Sequence, residues 1–148
     1  MNYSFTGASI SPDVKTISIR SFPDQQGKGP GMLSNTFTED LKNKFASQTK
    51  LNLVESVGDI HLEGSITDYS IRPMGIQGNE TASLNRLTIS VFVKFINAKN
   101  EKQNFEMSFS RYADYDSKLI ITTIENDLIK EIDNQLVDDI FNRAVANW

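Results

Sequence analysis

Apolar and polar side chains alternate along residues 16–22, with Ile17 and Ile19 on one side and Thr16, Ser18 and Arg20 on the other. That is the period of a half-buried strand, ending at Phe22 and Pro23. Residues 24–31 (Asp-Gln-Gln-Gly-Lys-Gly-Pro-Gly) hold three glycines and a proline and read as a loop. Beyond it Leu33, Phe37, Leu41 and Phe45 recur every four residues while Asn35, Glu39, Lys42 and Asn43 point elsewhere. This spacing predicts an amphipathic helix ending near Gln48, with Asp40 and Lys44 placed as an i,i+4 pair.

Residues 51–54 suit a short strand, and Gly58-Asp59 then punctuates the chain. Ile60, Leu62, Gly64 and Ile66 alternate with His61, Glu63, Ser65 and Thr67, which predicts a second strand running to about Ile71 and stopped by Pro73. Residues 74–83 form a polar connection. Leu87, Ile89, Val91, Val93 and Phe95 then share one face, opposite Arg86, Thr88, Ser90, Phe92 and Lys94. After a charged turn over residues 97–104, Phe105, Met107 and Phe109 alternate with Glu106, Ser108 and Ser110, so the two runs should pair as an antiparallel hairpin with one dry face.

From Ser117 onward Ile121, Ile124, Leu128, Ile132, Leu136, Ile140 and Phe141 follow a helical period, with Glu125, Lys130, Asp133 and Asp138 expected on the wet side. Either Ser117 or Thr123 suits the N-cap. Two apolar helix stripes and one apolar sheet face bury best when both helices lie on the same side of the sheet. The expectation is therefore an α+β fold, a small mixed or antiparallel sheet with two helices packed on one face. The opposite face is left for solvent or a partner. No internal repeat is present.

Composition sharpens this picture mainly by exclusion. With 148 residues, the chain fits one domain and can remove roughly 70% of its extended surface from water. Fifteen basic against nineteen acidic side chains leave a net charge of −4, and no block of Lys or Arg forms a basic groove. Nucleic acid is set aside as a partner. Cysteine is absent, so the chain carries no disulfide, thiolate nucleophile or cysteine metal site. Its longest apolar runs fall far short of the roughly 20 residues that cross a bilayer as a helix. The opening Met1-Asn2-Tyr3-Ser4-Phe5 has neither a charged region nor an apolar core of a leader, so either the protein is cytosolic or a targeting segment has been removed.

Candidate chemistry is sparse. Asp59, His61 and Glu63 stand at i, i+2 and i+4, so a strand would set all three on one face where they could meet a metal. The alternative is the polar outer face of a half-buried strand, whose side chains lie about 7 Å apart and seldom converge on one ion. His61 is the single histidine, which excludes a two-histidine metal motif. Gly27, Gly29 and Gly31 join a strand to a helix, as phosphate-cradling loops do, yet the lysine and hydroxyl spacing of a P-loop is missing and a connector is the simpler reading. Asn79-Glu80-Thr81 matches a glycosylation acceptor by a pattern common by chance. Arg72, Arg86 and Lys94 sit on or beside strands and are the candidate ligand-binding cations, against a default of surface solvation. Phe92 is an apolar residue among polar ones on the face expected to stay uncovered. No catalytic, cofactor or metal residue is assigned.

Several dispersed segments together carry a family resemblance: Tyr3-Ser4-Phe5-Thr6-Gly7, Thr16-Ile17-Ser18-Ile19, Phe37-Thr38-Glu39-Asp40-Leu41, Gly58-Asp59-Ile60, Glu63-Gly64-Ser65-Ile66-Thr67-Asp68-Tyr69, Asn85-Arg86-Leu87-Thr88-Ile89, and the ending from Phe141-Asn142 to Asn147-Trp148. Together they resemble LptE, the lipopolysaccharide-assembly lipoprotein, in the version found in Bacteroidetes. The resemblance spans nearly the whole chain and contains no catalytic signature. It implies a single domain over residues 1–148, with residues 1–13 an extended segment following a removed lipoprotein signal. It further implies a non-enzymatic outer-membrane lipoprotein on the periplasmic side that plugs the β-barrel LptD, binds lipopolysaccharide and assists its transport, with no cofactor. Such a protein is lipidated on a cysteine, so Met1 is expected to stand where a signal peptide and that cysteine were removed. No ligand motif carries over residue by residue. The competing reading is a periplasmic α+β adaptor or small-ligand binding protein without a barrel partner.

Overall fold

The computed structural model of the protein describes residues 11–75 and 83–146. Five strands and two helices follow in the order β1 (Thr16–Ile19), α1 (Leu33–Gln48), β2 (Asn52–Leu53), β3 (Ile60–Met74), β4 (Leu84–Asn97), β5 (Phe105–Asp116) and α2 (Ile121–Val145). One sheet of order β2-β1-β3-β4-β5 joins the strands, parallel among β2, β1 and β3 and antiparallel through β3, β4 and β5. Both predicted helices and the α+β sheet are present. The predicted hairpin pairs Val91 with Phe109 and Phe95 with Phe105.

Burial explains the arrangement. Leu87, Ile89, Val91, Val93 and Phe95 of β4 are all buried and join one core with Leu33, Phe37, Leu41 and Phe45 of α1 and Ile132, Leu136, Ile140 and Phe141 of α2. Each such side chain contributes roughly 1.5–3 kcal/mol by leaving water. Edge-to-face ring pairs fix the approach: Phe22 with Phe37 at 5.2 Å and Phe45 with Phe141 at 5.1 Å between centroids.

Several boundaries differ from the sequence pattern. Strand β1 ends at Ile19, three residues early, because α1 captures the backbone of Phe22. The Phe22 N–H donates to Thr38 Oγ1 at 3.0 Å, and Ser34 Oγ donates to the Phe22 carbonyl. Pro73 does not stop β3, which continues to Met74 with Pro73 opposite Asn85. Of the described strands only β4 pairs with β3 there, and proline is tolerated where its missing N–H faces an unpaired edge. Strand β5 extends to Asp116, beyond the predicted alternation, because Arg111 at a core-side position reaches the rim and binds Asp139 of α2 through two hydrogen bonds of 2.7 and 2.9 Å.

Neither Ser117 nor Thr123 caps α2. The cap position is Ile120, with no side-chain cap; Ser117 bonds Ser83, and the Thr123 hydroxyl donates to the Ile120 carbonyl at 2.6 Å. Lys44 pairs with Asp138 of α2 at 2.8 Å instead of with Asp40. Asp133 is fully buried at the α1–α2 seam rather than on the wet side. It lies on the line Ile129, Asp133, Val137, whose neighbours are both core residues, so helical geometry carries it inward.

A bulge in β3 sets which side chains face outward. Ile66 pairs with Val91 but Asp68 with Ser90, so Thr67 is an extra residue. The inward positions change from even (Ile60, Leu62, Ile66) to odd (Tyr69), which keeps Asp68 out of the core.

Candidate functional site

The helices leave one face of the sheet uncovered, and the register places its side chains in rows across β3, β4 and β5. Arg72, Arg86 and Asp114 form one row, Asp68, Ser90 and Ser110 another, Ser65, Phe92 and Ser108 a third, and Glu63, Lys94 and Glu106 a fourth. All three sequence-predicted cations lie on this face, and Phe92 sits between them as expected.

The strand separates them into two groups. Arg72 and Arg86 are directly opposed, whereas Lys94 is eight positions along β4 from Arg86, about 26 Å at a strand rise of about 3.3 Å per residue. Arg86 is already engaged. Its guanidinium makes a bidentate pair with Asp114 at 2.8 and 3.0 Å and lies 3.7 Å from the Tyr112 ring centroid. Hydrogen bonding between the two raises the pKa of Arg86 and lowers that of Asp114. Arg72 is exposed and carries no ion pair among the described residues. Lys94 is flanked in register by Glu63 and Glu106.

Asp59, His61 and Glu63 do not gather around one point. Asp59 turns back to accept the backbone N–H groups of Lys15 and Thr16 at 2.9 and 3.2 Å, and the bond from Lys15 leads in lowering its pKa. His61 and Glu63 do meet, Nε2 to Oε1 at 2.9 Å, while His61 Nδ1 contacts Ser18 Oγ at 2.6 Å. The Ser18, His61, Glu63 chain has the residue types of a hydrolytic triad. Ser18, however, is 3% exposed, and its oxygen also accepts the Gly58 N–H at 3.0 Å. With Ser18 at Nδ1 and Glu63 at Nε2, both ring nitrogens of His61 have partners. The trio stitches β1 to β3, and the described residues hold no cluster of three or more metal-type ligands.

Beside this chain lies a groove of about 670 Å³ between β1, α1 and the segment after β2. Arg20, Lys42 and His61 line it together with Glu55 and the exposed apolar residues Leu53 and Val57. Sequence reading missed it, because its residues come from four separate segments. The one visible hint is Val57, an apolar residue outside any helical or strand period. The glycine loop at 27–31 serves α1: Asp24 accepts the N–H groups of Gly27 and Gly29 and ties the loop on itself. The Asn79-Glu80-Thr81 pattern and the terminal segments that contribute to the resemblance, residues 3–7 and 147–148, lie outside the described residues.

Comparison with known proteins agrees with this architecture. A search of curated protein sequences finds no match. Among solved structures, a minor lipoprotein from Acinetobacter baumannii superposes with a TM-score of 0.60 at 13% identity, covering 91% of this chain and 95% of its own. Lipoprotein B from Nitrosomonas europaea gives 0.55 at 17% identity, covering 99% and 92%. At these identities the likeness establishes the fold. The sequence profile of LptE, described as lipopolysaccharide-assembly, matches residues 14–144, from the lead into β1 to the last turn of α2. The chain therefore belongs to the LptE lipopolysaccharide-assembly family.

Proposed function

We propose that this protein plugs the β-barrel LptD and assists lipopolysaccharide transport and assembly, held at the periplasmic side of the outer membrane by an N-terminal lipid. It acts by contact and not by catalysis. The observation that carries this reading is the family match across the whole described fold. The sheet supports it: a face of mixed charge that also carries Phe92, Ile96 and Tyr112 suits a protein partner, whose interfaces rest on complementary charge more than on net charge. A domain of net charge −4 is compatible with that role even though lipopolysaccharide is anionic. Among the candidate cations Arg72 is the one proposed to meet lipid phosphate, since Arg86 is held by Asp114 and Lys94 stands between two glutamates.

The test is isolation of the full-length protein from native membranes. LptD is expected to copurify, and Arg72→Glu is expected to lower lipopolysaccharide binding while the LptD complex survives. Recovery of the protein alone from the cytosol would overturn the reading. A second reading, a periplasmic small-ligand carrier without a barrel partner, is favoured by the groove with Arg20 and Lys42. It predicts that Arg20→Glu abolishes ligand binding in a protein that copurifies with no barrel.

A further inference from the structure

The seam between α1 and α2 contains a group that the fold gives no reason to keep. Asp133 is 0% exposed, and neither of its carboxylate oxygens has a hydrogen-bond partner. A buried ionised carboxylate without a partner is among the most costly arrangements a protein can hold, and such a group takes up a proton instead. Lysine, arginine and backbone donors all leave it alone. The charge that acts on it is Asp40 of α1, of the same sign.

Several other ionisable groups around α2 are engaged elsewhere. From α1, Lys44 pairs with Asp138. From β5, Arg111 pairs with Asp139; from β3, Tyr69 donates to Glu125. On α2 itself Lys130 acts on Asp40, partly offsetting the burial that raises the Asp40 pKa. Beyond Asp133 the same seam continues through the Lys44–Asp138 pair and the Phe45–Phe141 contact, neither of which depends on the state of Asp133. The two helices run in the same direction, since 40, 44 and 45 meet 133, 138 and 141 in order.

We propose that Asp133 is a neutral carboxylic acid in the folded protein and makes the α1–α2 seam a proton-operated clasp, closed when Asp133 is protonated and loosened at the Asp40 level when it ionises. Burial first, and Asp40 second, push its pKa from the ordinary 3.8 up to about 8. Between these two values the folded chain holds a proton that the unfolded chain releases. Stability conferred by the seam is therefore greatest in acid, falls as pH rises through that window and levels off above it. This is the reverse of an ion-paired aspartate, whose contribution is lost on acidification. The helix–helix seam also borders a cleft of about 400 Å³ lined by Asp40, Lys44, Asp138 and Asn134, the last next to Asp133 in the chain.

The experiment compares wild-type protein with Asp133→Asn and Asp133→Leu by urea unfolding from pH 5 to 9, and follows the Asp133 side-chain carbonyl carbon by NMR over the same range. The wild-type unfolding constant is expected to rise relative to either variant by up to about tenfold per pH unit inside the window, the linkage of one proton. The resonance should show a midpoint well above pH 6. Asp40→Asn, which removes the like charge, should move that midpoint down. Parallel pH profiles for wild type and variants, or a midpoint below pH 5, would overturn the proposal. If Asp133 variants fail to fold, the wild-type titration and Asp40→Asn decide alone.

Discussion

Strand β4 shows two different ways of fixing a side chain, one on each face. Its inward positions, Leu87 to Phe95, are determined by volume: each is dry, and each belongs to the one core that the sheet shares with the two helices. Its outward positions, Arg86 to Lys94, are determined by what lies opposite across the ladder, charge against charge and hydroxyl against hydroxyl, as in Arg86 with Asp114 and Ser90 with Ser110 at 2.8 Å. Inward residues therefore set whether the fold exists. Outward residues are free to be shaped by whatever the face meets.

The contrast can be broken most severely from the covered side. Ile132→Asp or Leu41→Asp puts a charge where no water reaches, and loss of the cooperative unfolding transition is expected, a destabilisation above about 4 kcal/mol. A variant that kept its near-ultraviolet circular dichroism and thermal midpoint would show that the helices do not seal this face. Gly64→Ala comes next. Its methyl would lie 1.8 Å from the Phe92 carbonyl oxygen and 2.7 Å from the Phe22 ring, so a cost of about 1–3 kcal/mol is expected, whereas Gly31→Ala meets nothing and serves as the control. On the outer face Arg86→Ala should lower the thermal midpoint less than Gly64→Ala, because Asp114 is left near solvent where it stays hydrated. Smallest of all, Glu39→Ala on the wet side of α1 should stay within about 0.5 kcal/mol in urea titration.

The same division explains what the sequence revealed. Periodicity located both helices and the dry face of β4 because those positions answer to burial alone, whereas on β5 Phe109 is buried but Met107, expected beside it, is exposed. It lost β5 after Ser110, where Arg111 interrupts the inward series although Ala113 and Tyr115 resume it. The bulge at Thr67 was missed, because the strand was read as one unbroken alternation although Ile66 and Tyr69 differ in parity. Asp133 was misplaced by chemistry: an acidic residue was assumed to seek water, against its i,i+4 alignment with Ile129 and Val137. The candidate cations were legible as members of one face, but their separation into two groups required the register. The groove with Arg20 and Lys42 was missed, since only tertiary contacts bring its segments together.

The mixed sheet has a consequence for how the chain reaches its native state. Strands β3, β4 and β5 are successive neighbours joined antiparallel, while β1 reaches β3 in parallel across a long detour through α1, Ser18 meeting His61. Closing that detour costs chain entropy before any contact rewards it, so the three-stranded meander should assemble early and the β1–α1–β2 unit should dock late. Pulse-labelling hydrogen exchange during refolding is expected to protect the Val91 amide before that of Ile19. The reverse order would place the start of folding in the long-range parallel pairing.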